Sequence, residues 1–235
     1  MRYLSRIIWI ISLAACTNQP ATESNRRALE YIDRGLHEQA IEALDNAIDS
    51  DAAYLPAYFN RAVVRANMKM TREALEDIGR VIAGAPGHAR AYYQRGIIHE
   101  NLGEEKEAIR DYSRAIALDP AFTDAYHYRG IARYKTRDLD GAIADYDAAI
   151  ALGLQSSAIF FNRAVVLQQQ GETGEAIDGY SRSIAIDPSN ASAYYNRAIA
   201  RLQLDNRKEA LQDLETSRRL GHPGAAGTIA RILAR

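Results

Sequence analysis

The sequence predicts an all-α chain in which six helix-turn-helix repeats stack into a solenoid, closed by a C-terminal capping helix. Three observations predict it. A 34-residue period runs from Ala21 to Gly224, giving units 21–54, 55–88, 89–122, 123–156, 157–190 and 191–224. The twentieth residue of every unit is alanine: Ala40, Ala74, Ala108, Ala142, Ala176 and Ala210. The eighth is always small (Ala28, Ala62, Gly96, Gly130, Ala164, Ala198), which lets two helices approach closely at that level.

Ahead of the repeats, residues 1–15 read as a secretory signal. Arg2 and Arg6 stand there without an acid, and an apolar run from Ile7 to Ala15 follows, too short for the ~20 residues of a bilayer span. Leu13-Ala14-Ala15-Cys16 resembles the bacterial lipobox, and Cys16 is the one cysteine of the chain. That resemblance implies a lipid on the Cys16 thiol, with cleavage making Cys16 the new N-terminus. Two or more acyl chains suffice for stable membrane anchoring. Residues 16–20 are then a lipidated tether before a helical pattern that becomes clear near Ser24. Thr17 in place of Asp implies, by the same resemblance, sorting to the outer membrane, facing the periplasm.

Within each unit, positions 4, 8 and 11 share one helical face, and positions 20, 24 and 27 share another. Position 4 is Ser24 in the first unit and then Tyr58, Tyr92, Tyr126, Phe160 and Tyr194. Between the two helices, Gly35, Gly103 and Gly171 suit a left-handed cap. Lys69, Arg137 and Asp205 stand at that place in the other units and predict turns built differently. Pro86, Pro120 and Pro188 end the second helix, while Ala52, Leu154 and His222 replace proline elsewhere. Residues 225–235, with Ile229, Ile232 and Leu233 at helical spacing, read as the capping helix. This pattern of aromatic, small residue, alanine and proline resembles the tetratricopeptide repeat. The resemblance covers 21–224 and implies a right-handed superhelix that binds other proteins.

In that family the first helices line a concave groove through positions 2, 5, 9, 12 and 13, which also share one stripe by spacing. Position 5 supplies Phe59, Tyr93, His127, Phe161 and Tyr195; beside it position 6 supplies Asn60, Gln94, Tyr128, Asn162 and Asn196. Amides donate and accept, so they can pair with the backbone of an extended peptide, and aromatics add contact area. The competing reading is packing between neighbouring repeats. Asn67, Asn101, Gln169 and Gln203 extend the polar edge.

Position 7 is arginine in all six units: Arg27, Arg61, Arg95, Arg129, Arg163 and Arg197. A ladder for an acidic partner is one reading. The favoured one is structural, because a charge on a packed face needs a compensating acid. Position 23 offers it in the pairs Arg61–Asp77, Arg95–Asp111, Arg129–Asp145 and Arg197–Asp213. The first unit has Ala43 there and the fifth has Gly179, with Asp178 adjacent.

Composition narrows the function. Charges nearly cancel, 29 Lys and Arg against 30 Asp and Glu, and removal of residues 1–15 leaves a negative chain. This opposes nucleic-acid binding through a basic field. A single cysteine and five scattered histidines offer no metal motif, and no phosphate loop or nucleophile elbow is present, so neither a cofactor nor an enzymatic activity is expected. The expected partners are peptide or helical segments of other proteins, with the membrane reached through the lipid and no small-molecule substrate. The resulting expectation is an envelope scaffold or adaptor. A pilotin-like factor for type IV pilus assembly and a periplasmic holdase-type chaperone are the alternatives.

Overall fold

The computed structural model describes residues 19–234, so the signal segment and Cys16 lie outside the described residues. The chain divides into two compact units that meet in sequence at Pro120 and Ala121. The first holds α1 (Gln19–Asp33), α2 (His37–Ser50), α3 (Leu55–Asn67), α4 (Thr71–Gly84), α5 (Ala89–Asn101) and α6 (Glu105–Leu118). The second holds α7 (Thr123–Lys135), α8 (Leu139–Ala151), α9 (Ser157–Gln170), α10 (Thr173–Ile186), α11 (Ala191–Gln203), α12 (Arg207–Arg219) and α13 (Ala225–Leu233). Among the described residues there is no strand. Helix α1 opens two residues ahead of the expected repeat start, so Gln19 and Pro20 belong to it and not to a tether. Proline is favoured in a first helical turn, where no intrahelical N–H bond is lost and its φ is already set.

Each odd helix packs on the even helix that follows it, and within a unit each odd helix also touches the next odd helix. The alanines at positions 8 and 20 explain the close approach, since every one of them is fully buried. Where position 24 is tyrosine in the third and fourth repeats, even alanine is too large opposite it. A Cβ on Gly96 would fall 2.6 Å from the Tyr112 ring, and one on Gly130 would fall 2.7 Å from the Tyr146 ring. The fifth repeat has Tyr180 at position 24 but keeps Ala164, and there the glycine has moved to the facing helix. A Cβ on Gly179 would meet that of Ala164 at 2.8 Å. Each large tyrosine therefore takes one glycine with it.

The turns inside the hairpins correct the expectation that three of them differ. Lys69, Arg137 and Asp205 adopt φ of 63°, 66° and 59°, the left-handed region that Gly35, Gly103 and Gly171 also occupy. All six turns share one closing hydrogen bond, such as Leu36 N–H to Tyr31 C=O and Met70 N–H to Arg65 C=O, at 2.9 and 2.8 Å. A side chain in this region costs on the order of 1–2 kcal/mol, which helix packing outweighs. Between repeats, two endings occur. Asp51, Asp119 and Asp187 end their helices extended. Repeats 4 and 6 instead turn through Gly153 and Gly221, with φ of 97° and 86°. In those two repeats the glycine, one residue before the place of the missing proline, stops the helix. At the C-terminus α13 lies on the core of α11 and α12 through Ala225, Thr228, Ile229 and Ile232. Leu233, expected to dock with them, is 67% exposed.

Candidate partner-binding face

The arginines at position 7 are the most strongly fixed polar groups of the fold. Arg61, Arg95, Arg129 and Arg197 each donate through Nε and Nη2 to both oxygens of Asp77, Asp111, Asp145 and Asp213, at 2.7–2.9 Å. These four carboxylates are 2–5% exposed. In the even repeats a second guanidinium joins, from Arg65, Arg133 or Arg201, at 2.7, 2.9 and 2.6 Å. In the third repeat His99 takes that place, with Nε2 3.7 Å from Asp111 and Nδ1 2.6 Å from Glu104. Burial works against the charge of Arg61, but its hydrogen bonds to Asp77 and Asp45 outweigh this and raise its pKa further.

The same arginines reach back to the preceding hairpin. Arg61 bonds Asp45 on α2, and Arg197 donates to Ser181 Oγ on α10 at 3.0 Å. This contact supplies the partner of Arg163, whose Nε donates to Asp147 on α8 at 2.6 Å. Asp178, next to Gly179 in sequence, is exposed and does not pair with Arg163, while Glu175 of the same repeat lies 3.8 Å from its Nη2. Gly179, required beside Ala164, has displaced the usual carboxylate. The position-4 rings lie against these cations, with Tyr58, Tyr92, Tyr126 and Tyr194 centred 5.5–5.6 Å from the guanidinium of their own repeat. Five of the six position-7 arginines are thus spent inside the fold, while Arg27 is exposed.

The first-helix face carries the residues expected to meet a partner. Phe59, His127 and Phe161 are half-buried, with one side toward their own hairpin: Phe59 lies 5.5 Å from the His88 ring, His127 5.9 Å from Tyr146 and Phe161 5.8 Å from Tyr180. Two position-5 residues are not available as expected. Tyr93 is 9% exposed, its ring 5.8 Å from Tyr112. Tyr195 stacks on His222 at 4.2 Å, and its hydroxyl meets that of Thr228 on α13 at 3.2 Å. It serves to seat the capping helix.

Several position-6 amides tie one repeat to the one before. Asn60 Nδ2 donates to Asn25 Oδ1 at 2.8 Å, and Asn162 Nδ2 lies 3.3 Å from His127 Nε2. Asn196 hydrogen-bonds the Tyr180 hydroxyl, whose pKa burial pushes up. Each such amide keeps further donor or acceptor capacity. Gln94 is half-buried and makes no side-chain hydrogen bond within the fold, while Tyr128 lies 5.5 Å from His127. Asp45, Asp147 and Thr228 were not singled out from the sequence, and Asn25, expected on the groove at position 5 of the first unit, is instead buried against Asn60. The one available signal was polarity at registers where other repeats differ, as with Asn25 at an otherwise aromatic position 5. Among the described residues no group of His, Cys, Asp and Glu could hold a metal ion, and no helix is long and apolar enough to cross a membrane.

Residues 89–122 match the family model described as tetratricopeptide repeat, and residues 167–205 match that described as TPR repeat. Comparison with curated proteins finds no match. Among solved structures, pilF of Pseudomonas aeruginosa is 19% identical with a TM-score of 0.79, over 91% of this chain and 96% of that one. PilW, a type IV pilus biogenesis factor, is 20% identical with a TM-score of 0.78, over 91% and 100%. YrrB, a TPR protein with an unusual peptide-binding site, is 22% identical with a TM-score of 0.70, over 80% and 98%. Residues 89–122 and 167–205 are thus tetratricopeptide repeats, set in a chain that has the fold of tetratricopeptide-repeat proteins.

Proposed function

We propose that this chain is a non-catalytic protein-interaction scaffold, anchored to the envelope membrane through Cys16 and binding peptide or helical segments on its first-helix face. The observation that carries the reading is a division of labour. The position-7 charges of repeats 2, 3, 4 and 6 are paired with buried carboxylates, whereas Phe59, His127 and Phe161 at position 5 and Asn60, Gln94, Asn162 and Asn196 at position 6 stay half-exposed. Such a surface suits a partner read through its backbone and apolar side chains. The TPR fold, shared with a peptide-binding neighbour, supports this. With α1 opening at Gln19, two residues separate Cys16 from the first helix, a reach of roughly 10 Å. In this reading the folded body stays close to the outer membrane, on its periplasmic side.

The test is capture from envelope extract with Cys16→Ser bait. A parallel bait carries Gln94→Ala, which removes no internal side-chain hydrogen bond, together with Asn162→Ala, after its helicity has been checked. A few partners lost from the second bait are expected; equal capture by both would overturn the assignment of this face. Broad, unsaturable capture of unfolded proteins would replace the scaffold with a holdase. A role in type IV pilus assembly is the second reading, favoured by the likeness to pilF and PilW over nine-tenths of the chain. Loss of surface pili on deletion, in a host that makes them, is what that reading expects.

A further inference from the structure

The second unit exposes large apolar side chains in one repeated register. Leu152, Ile186 and Leu220 stand at position 30 of successive repeats, at the ends of α8, α10 and α12, and are 43%, 46% and 39% exposed. In the first unit the same register holds Ser50, Gly84 and the half-buried Leu118. A single exposed leucine is ordinary in a folded protein, but a row of them in one register marks an interaction surface.

Short turns make each hairpin antiparallel, so the helix ends of the unit form two edges. These edges differ in charge. The hairpin-turn edge exposes Arg137 and Asp138, Glu172 and Glu175, and Asp205 and Arg207. Around the apolar row, residues 151–155, 185–189 and 219–223 include only two charged side chains, Asp187 and Arg219. Asp187 is half-buried and accepts the Ser189 N–H and hydroxyl at 3.0 and 2.6 Å. Arg219 is exposed and donates to the Thr216 hydroxyl at 3.1 Å. The edge thus presents hydrocarbon, small residues and a cation, and those three segments expose no acid.

Hydrocarbon beside a cation, with no exposed acid to repel phosphate, complements an anionic lipid surface. Acyl chains close around side chains set on separate hairpins, whereas a protein partner would need three pockets at the same spacing. We propose that this edge of the second unit docks on an anionic bilayer, inserting Leu152, Ile186 and Leu220 and placing Arg219 on lipid phosphate. The tether proposed at Cys16 favours this occupant, because it keeps the chain at a lipid surface and lets a weak contact persist. The proposal rests on that anchoring and adds which surface of the second unit meets the lipid.

Trp9 is the only tryptophan of the chain, so residues 16–235 contain none. In that segment, coupled through the Cys16 thiol to a maleimide lipid, Ile186→Trp and Leu204→Trp place probes on opposite edges, at sites of similar exposure, 46% and 48%. Phosphatidylethanolamine–phosphatidylglycerol vesicles with brominated acyl chains should quench the Ile186→Trp probe and leave the Leu204→Trp probe unquenched. Without the coupling, Leu152→Ser together with Leu220→Ser should weaken vesicle partition of the Ile186→Trp chain roughly tenfold, with helicity unchanged. Equal quenching of both probes, or none with Ile186→Trp, would overturn the proposal. A blue shift of the Ile186→Trp emission that grows with protein concentration in the absence of lipid would give the edge to a second copy and overturn it too. Because the lipid is attached chemically, these results do not depend on lipidation of Cys16 in the cell, so the two readings fail separately.

Discussion

Asp145, at 2% exposure, holds two guanidinium groups at once, those of Arg129 and Arg133. Removing it leaves two cations on a packed face with only partial access to water. Asp145→Ala is therefore expected to cost about 3 kcal/mol, a fall of roughly 6–12 °C in melting temperature by calorimetry, while partner capture is retained. The four Arg–Asp spacings could be read in the sequence because both residues lie in one repeat, at positions whose helical faces must meet. The partner of Arg163 could not be read that way. It depends on Asp147 of the previous hairpin, and the reason is steric: Ala164 and the Phe160 carbonyl leave no room for a Cβ at Gly179. A pattern of residue types records spacing but does not show which of two facing positions must give up its side chain.

At the scale of the element, helix phase was legible because small residues recur with the period, and α3, α5, α7, α9 and α11 each begin at the first residue of their units. The turns were less legible, because three different side chains accept the glycine conformation when packing on both sides fixes the chain's path. Caps vary as well. Asn190 and Ser156 cap α11 and α9 with side-chain oxygens, whereas His88 caps α5 through Nδ1, which accepts the Ala91 N–H at 3.0 Å. That acceptor exists only while the ring nitrogen is unprotonated. Burial, with a smaller contribution from Arg90, holds the His88 pKa below its ordinary 6.5. A depressed base binds fewer protons folded than unfolded, so its contribution is complete above pH 6.5 and is lost as pH falls below that value. His88→Asn keeps the cap and removes the titration. Urea midpoints measured at pH 7 and pH 5 should then differ less in the variant than in the parent.

For the whole molecule, each hairpin rests mainly on its neighbours, so stability is close to a sum over repeats and their interfaces. The reach of position 7 into the preceding hairpin makes that sum depend on order. Recombination would expose this. Excising 157–190 joins α8 to α11 and sets Asp147, in place of Ser181, before Arg197. The shortened chain should melt cooperatively, with an ion pair where the parent has a hydroxyl. Excising 191–224 instead brings α13 against a repeat whose position 5 is Phe161, with no hydroxyl for Thr228, and whose end is Pro188, with no aromatic ring to match His222. That product should show a frayed C-terminus by amide exchange. The glycine that left position 8 for position 23 in the fifth repeat has thereby moved its arginine's nearest carboxylate into the fourth. Duplication can copy such a hairpin freely only together with the one before it, so the heritable module here is longer than the structural one.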